Sequence, residues 1–182
     1  MKSISKLANQ SASIPLLADD VLEFHAARLL LLLKLCGQTG RIDGLTKMAK
    51  LDFFVRYPQF FNIACNKLGV PASTPVRRIE SSMIRFHYGP WDERYYHILG
   101  YLEAKQLVGI IPRGNMYELK LTKLGNDVAD RLGKDRAFHD MVEHMKQVKK
   151  VLGAKAGSTL KKLVYQLFED EVAKRSLGEV ID

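Results

Sequence analysis

The stretch IESSMIRFHYGPWDERYYHILGYLEAKQLVGIIPRGNMYELKLTKLGNDVADRL, residues 79–132, decides the fold. Trp91, Tyr95, Ile98, Leu99 and Leu102 recur at helical spacing, so a helix is expected to open near Pro90, whose fixed φ suits a first turn. Asp92 and Glu93 would sit at its positive N-terminal end. After Gln106 the period changes: Leu107–Ile111 and Met116–Leu121 read as short strands joined through Pro112-Arg113-Gly114-Asn115. Thr122 is placed to cap a following helix. Helix, hairpin, helix is the order of a winged helix.

Outward from this stretch, the N-terminal half supplies further helices. Asp19 or Asp20 is expected to cap a helix reaching Leu35, with Val21, Phe24, Leu29, Leu32 and Leu35 on one face and Gly37 as its stop. The Leu29–Leu33 run lies between Glu23, Arg28 and Lys34, which marks a buried helix and not a membrane span. Residues 45–57 predict a second helix, limited by Pro58, and residues 59–68 a short third one. VPASTPVRR, residues 70–78, reads as a loop. On the C-terminal side, Phe138, Met141, Val142, Met145, Val148 and Leu152 form a helical stripe, GAKAG breaks it, and Ser158 opens a last helix carrying Leu160, Leu163, Val164, Leu167 and Phe168. The expected fold is mainly α with a small β-hairpin. Residues 1–18 form a flexible arm, 19–132 a winged-helix-like domain, and 133–182 a helical hairpin for partner binding.

Composition narrows the function classes. Hydrophobic residues make up 47% of 182, enough for a core. The net charge of +8 favours a polyanion or an acidic protein face. Cys36 and Cys65 lie in apolar segments without a CxxC or Cys/His cluster, so they read as core residues of a protein in a reducing cytoplasm. The start of the chain lacks the apolar block of a secretory signal. His25, His87, His97, His139 and His144 are scattered, and His139 and His144 are five apart, off the spacing that aligns two metal ligands on a helix. No GxSxG, GxxxxGK or GxGxxG occurs. A non-catalytic protein without cofactor or metal is expected.

Two binding surfaces are expected instead. The first is for protein: Trp91, Arg94, Tyr95 and Tyr96 around the YGPWD run, and Met141, Met145, Leu163 and Leu167 on the tail helices. The second is for nonspecific nucleic-acid contact through phosphates: Arg77, Arg78, Arg85, Arg113 at the hairpin tip, and Lys146, Lys149, Lys150, Lys155, Lys161 and Lys162. The expected recognition helix argues against base readout. It opens with Asp92 and Glu93, which phosphates repel, and carries tyrosines where a groove reader offers Arg, Lys, Asn or Gln.

GLTKMAKLDFFVRYPQFF (44–61) and IESSMIRFHYGPWDERYYHILGYLEAKQLV (79–108) resemble the middle component of ABC-three-component systems, the Lamassu type of bacterial anti-phage defence. The resemblance spans roughly 20–132 and is carried most by Tyr88, Gly89, Pro90, Trp91, Asp92, Arg94 and Tyr95. It implies a winged-helix adaptor in a hetero-oligomer, linking an SMC- or Rad50-like ATPase to an effector nuclease on DNA, in defence against phage or plasmids. The family offers no catalytic residue to carry across. Two rival readings remain: a winged-helix transcription regulator, and an antitoxin-like inhibitor, since some antitoxins share the YGP turn.

Overall fold

A computed structural model describes residues 1–5, 20–71, 83–86, 89–167 and 180–181. Along the chain run α1 (Leu22–Cys36), β1 (Arg41–Asp43), α2 (Leu45–Arg56), α3 (Pro58–Lys67), β2 (Met83–Phe86), β3 (Gly89–Trp91), α4 (Tyr95–Ala104), β4 (Val108–Arg113), β5 (Met116–Leu121), α5 (Lys123–Leu132), α6 (His139–Leu152), α7 (Gly157–Leu167) and β6 (Val180–Ile181). The fold is mainly helical, with small antiparallel sheets.

The centre is α1. A helix that is apolar all round is stable only when surrounded, and Leu29, Leu30, Leu31, Leu32 and Leu33 are all buried. Around α1 pack α2, α4, α5, α6 and strands β1 and β5. Gly37 ends the helix, its N–H bonding the Leu33 carbonyl. The expected aspartate cap is absent: Val21 holds the N-cap position without a side-chain bond. Residues 2–4 of the expected loose arm are tied to this helix start instead. Lys2 bridges to Val21, while the Ser3 hydroxyl and the Ile4 N–H donate to Glu23. Residues 6–19 lie outside the described residues.

β1, β5 and β4 form one antiparallel sheet, with β5 in the middle. Ile42 faces Leu119, and Ile110 faces Leu119 from the other side. The β4–β5 hairpin closes between Arg113 and Met116 through Gly114, whose φ of 57° a glycine adopts without strain. Pro112 and Arg113, expected in the turn, still pair as strand residues. Thr122 caps α5 as expected, accepting from the Gly125 N–H at 2.9 Å. At Gly125 a Cβ would stand 1.9 Å from the Leu107 carbonyl oxygen, so α5 seats on the start of β4 only with glycine there.

A second antiparallel sheet, β3-β2-β6, was not expected. Arg85 pairs with Pro90, and Met83 with Ile181. Pro90 is therefore a strand residue, and α4 opens five residues after it, at Tyr95. The tail also departs from expectation. α6 packs on α1, α2 and α3, and α7 packs on α2, α3 and β3, so the two helices line this chain's own core and do not form a separate hairpin. Among the described residues no helix is long and apolar enough to cross a membrane.

Candidate functional site

α2 carries Lys50, Asp52 and Arg56 among Met48, Ala49, Leu51, Phe53, Phe54 and Val55, and every one of these side chains is buried. Arg28 of α1 is buried beside them. Charges this deep persist only when paired and hydrogen-bonded. Arg28 Nε donates to Asp52 Oδ1 at 2.9 Å, and the Tyr95 hydroxyl donates to Asp52 Oδ2 at 2.6 Å. Arg56 Nη1 donates to Asp92 Oδ2 at 2.7 Å. Arg94 grips the same carboxylate with two nitrogens, at 2.8 and 2.7 Å, and adds its backbone N–H at 3.0 Å. His25 stands between Arg28 at 2.8 Å and Arg94 at 3.0 Å. A neutral imidazole has one acceptor nitrogen, so it takes a hydrogen bond from only one of them.

Asp92 and Asp52 thereby join α1, α2 and the start of α4. Burial alone would raise the Asp92 carboxyl, but the Arg94 hydrogen bonds and the Arg56 charge outweigh it and hold it well below the usual carboxylate range. Burial, and then the neighbouring Asp52 charge, push the Tyr95 phenol well above its ordinary value. Lys50 Nζ donates to the Pro90 carbonyl at 2.9 Å, tying α2 to β3. Burial, with repulsion from Lys161, lowers this ammonium to about 7. The network braces these elements against one another. Among the described residues no group of three or more His, Cys, Asp or Glu side chains could hold a metal ion.

The brace fixes which side of α4 faces out. Glu93, Tyr96, Gly100 and Glu103, at helical spacing, are exposed, Tyr96 to 62%. Opposite them, the hairpin extends its inner face past the core, leaving Tyr117 47% exposed. Between the two runs an open groove of about 250 Å³, lined by Leu45, Tyr96, Gly100, Glu103, Ile110 and Tyr117. Among the described residues a Cβ on Gly100 would meet nothing within 4 Å.

Comparison with protein families, with characterised proteins and with solved structures finds no match to this chain. The groove must therefore be read from its own residues.

Of the expected protein-contact residues, Tyr96 lies on this groove. Tyr95 is fully buried on Asp52, and Trp91 is buried edge-to-face against Tyr95 at 5.2 Å. Arg94 is engaged with Asp92. The expectation that Met141, Met145 and Leu163 meet a partner is corrected: they are buried, and Leu167 is half-buried against the same core. Their stripe is apolar because this chain's own α1, α2 and α3 cover it.

The expected basic surface is likewise redistributed. Lys149 donates to the Cys36 carbonyl at 3.2 Å and to the Gly37 carbonyl, satisfying the end of α1 where backbone oxygens lack partners. Lys146 pairs with Glu143 at 2.6 Å, and Arg113 with Glu118 at 3.5 Å. Lys150 and Lys162 are exposed, while Lys155 is half-buried. Lys161 is half-buried and lines a cavity of about 530 Å³ with Lys47, between the starts of α2 and α7. Arg85 lies in β2, and Arg77 and Arg78 fall outside the described residues.

Both expected cysteines are buried and free. Burial raises the Cys36 thiol to about 12, which makes it a poor nucleophile.

Sequence reasoning missed the brace and half of the groove. The signal for the brace was present: Lys50, Asp52 and Arg56 interrupt an otherwise apolar helix, and Arg28 does the same beside the leucine run. Charged residues on a core-facing helix imply opposite charges brought to them from elsewhere. Gly100 and Tyr117 carry no such signal, because their role depends on how α4 lies against the hairpin.

Proposed function

We propose that this protein is a non-catalytic adaptor that docks other proteins through the groove between α4 and the β4–β5 hairpin. The reading takes the fold as a winged helix. Its support is the order α1-β1-α2-α4-β4-β5, with β1 and β4 on either side of β5. α3 and the β2–β3 ribbon are then an insertion before the recognition helix. The observation that carries the docking role is the outward stripe Glu93, Tyr96, Gly100, Glu103 facing an apolar hairpin face. Phosphates would be repelled there, whereas an exposed tyrosine and apolar walls suit a protein surface.

The resemblance of 44–61 and 79–108 to the middle component of ABC-three-component systems gives the partners in this proposal. They are an SMC- or Rad50-like ATPase and an effector nuclease, acting in anti-phage defence. Exposed Lys150 and Lys162 add a nonspecific, salt-sensitive DNA contact to the assembled complex. The test is co-expression with the products of the adjoining genes and purification by a tag on this chain. Stoichiometric recovery of an ATPase supports the adaptor. A protein that elutes alone and retards one promoter fragment specifically would favour a transcription regulator.

A further inference from the structure

Gly100 stands in the middle of α4, where alanine would serve the helix better. Glycine in such a place is explained when something packs on the bare backbone. Among the described residues nothing does, since a Cβ there would meet none of their atoms within 4 Å. The space it opens is the groove floor, between Tyr96 and Tyr117. Among the described residues lining the groove Glu103 is the one that is charged, and Glu93 stands exposed in the turn just before α4. The chain as a whole carries a net charge of +8, whereas the charged residues of this outward stripe, Glu93 and Glu103, are both acidic, with Arg94 held on Asp92 and exposed Lys105 just past the helix end.

We infer that the groove receives an apolar α-helix of a partner protein, packed against Gly100, with a Lys or Arg near each end of the contact. This deepens the adaptor reading and rests on it. A helix fits better than an added strand. Pro112 sits within β4, the outer strand of its sheet, and takes an N–H from the ladder that an added strand would need. Helix backbones approach most closely over glycine, and a partner helix would lay its apolar side chains between the Tyr96 and Tyr117 rings. Glu93 lies in the turn just before α4 and Glu103 in its last turn, ten residues on, so the basic residues of the partner would be spaced by roughly 15 Å. At about 250 Å³ the groove falls below the roughly 300–1,000 Å³ usual for small-molecule pockets.

The test uses the full chain and two synthetic helical peptides sharing one leucine-rich face. One carries lysines ten residues apart at the ends of that face, the other glutamates. By fluorescence anisotropy at low salt, the lysine peptide should bind about tenfold more tightly, and Glu93→Lys with Glu103→Lys should reverse the preference. Gly100→Leu should abolish binding while leaving the unfolding temperature unchanged or higher, because its side chain enters open space. Equal binding of both peptides, binding of neither, or full binding by Gly100→Leu overturns the inference. So does self-association of the wild-type chain that Gly100→Leu removes, which would give the groove to a second copy. If wild type and Gly100→Leu recover the same ATPase, the adaptor reading stands and this one falls. If the wild type recovers no partner, the adaptor reading itself has failed.

Discussion

The two sides of α4 obey different rules although their residues alternate along one short segment. Inward, Tyr95, Ile98, Leu99 and Leu102 are buried, and Tyr95 ends on the Asp52 carboxylate. Outward, Glu93, Tyr96, Gly100 and Glu103 meet solvent beside an apolar groove. The inner side is over-determined by ion pairs and hydrogen bonds. The outer side contains a glycine that weakens the helix and a tyrosine exposed to 62%. Adjacent residues thus separate into those that hold the helix and those it presents. Substitutions on the inner side should cost stability, and those on the outer side should alter binding at little cost in stability.

The sharpest break of this contrast is Asp52→Ala. It leaves Arg28 buried without its carboxylate and the Tyr95 hydroxyl without its acceptor. Removing one partner of a buried pair costs about 3–5 kcal/mol, so urea unfolding should show a loss of that size. A loss of under about 1 kcal/mol would remove the distinction between the two sides.

Lys50 gives the next largest effect, and one with a pH signature. Its folded value of about 7 lies below the ordinary 10.5. Between those values the unfolded chain binds a proton that the folded chain refuses, so this lysine lowers stability progressively as pH falls from 10.5 to 7, with no further change below. Lys50→Met should therefore be more stable than wild type at pH 7, by about 2 kcal/mol after the lost bond to the Pro90 carbonyl is set against the gain. The difference between the two proteins should shrink as pH rises towards 10. A constant difference across that range would show that Lys50 keeps its proton in the fold.

Tyr95→Phe keeps the ring against Trp91 and removes only the bond to Asp52. A hydrogen bond to a charged group contributes about 1.5–3 kcal/mol, and a thermal unfolding shift of that order, at the lower end, is expected. On the outer side, Gly100→Ala should raise stability by about 0.5–1 kcal/mol. Tyr96→Ala should change it by less than about 0.5 kcal/mol. If Tyr96→Ala destabilises as much as Tyr95→Phe, the exposed ring is part of the brace through its contact with Trp91 at 5.8 Å.

What the sequence could disclose follows from the range of the forces involved. Helical periodicity is local, and α1, α2, α3, α4, α5, α6 and α7 and the β4–β5 hairpin lie close to where it puts them. The Thr122 cap and the Gly37 stop are local as well. The leucine run of α1 announces burial because no amphipathic alternative exists for it. Short strands such as β1, β2, β3 and β6 were missed because two to four residues carry no usable period, and their pairing depends on chain brought from elsewhere. Tertiary structure alone decided that the tail stripe of Met141, Met145 and Leu163 belongs to this chain's own core. It also turned Lys149 from a surface cation into the cap of α1, and Asp92 from a helix-end charge into the clasp of two arginines. An apolar stripe or a charge states what it needs to meet. Only the packing of distant segments determines what it meets.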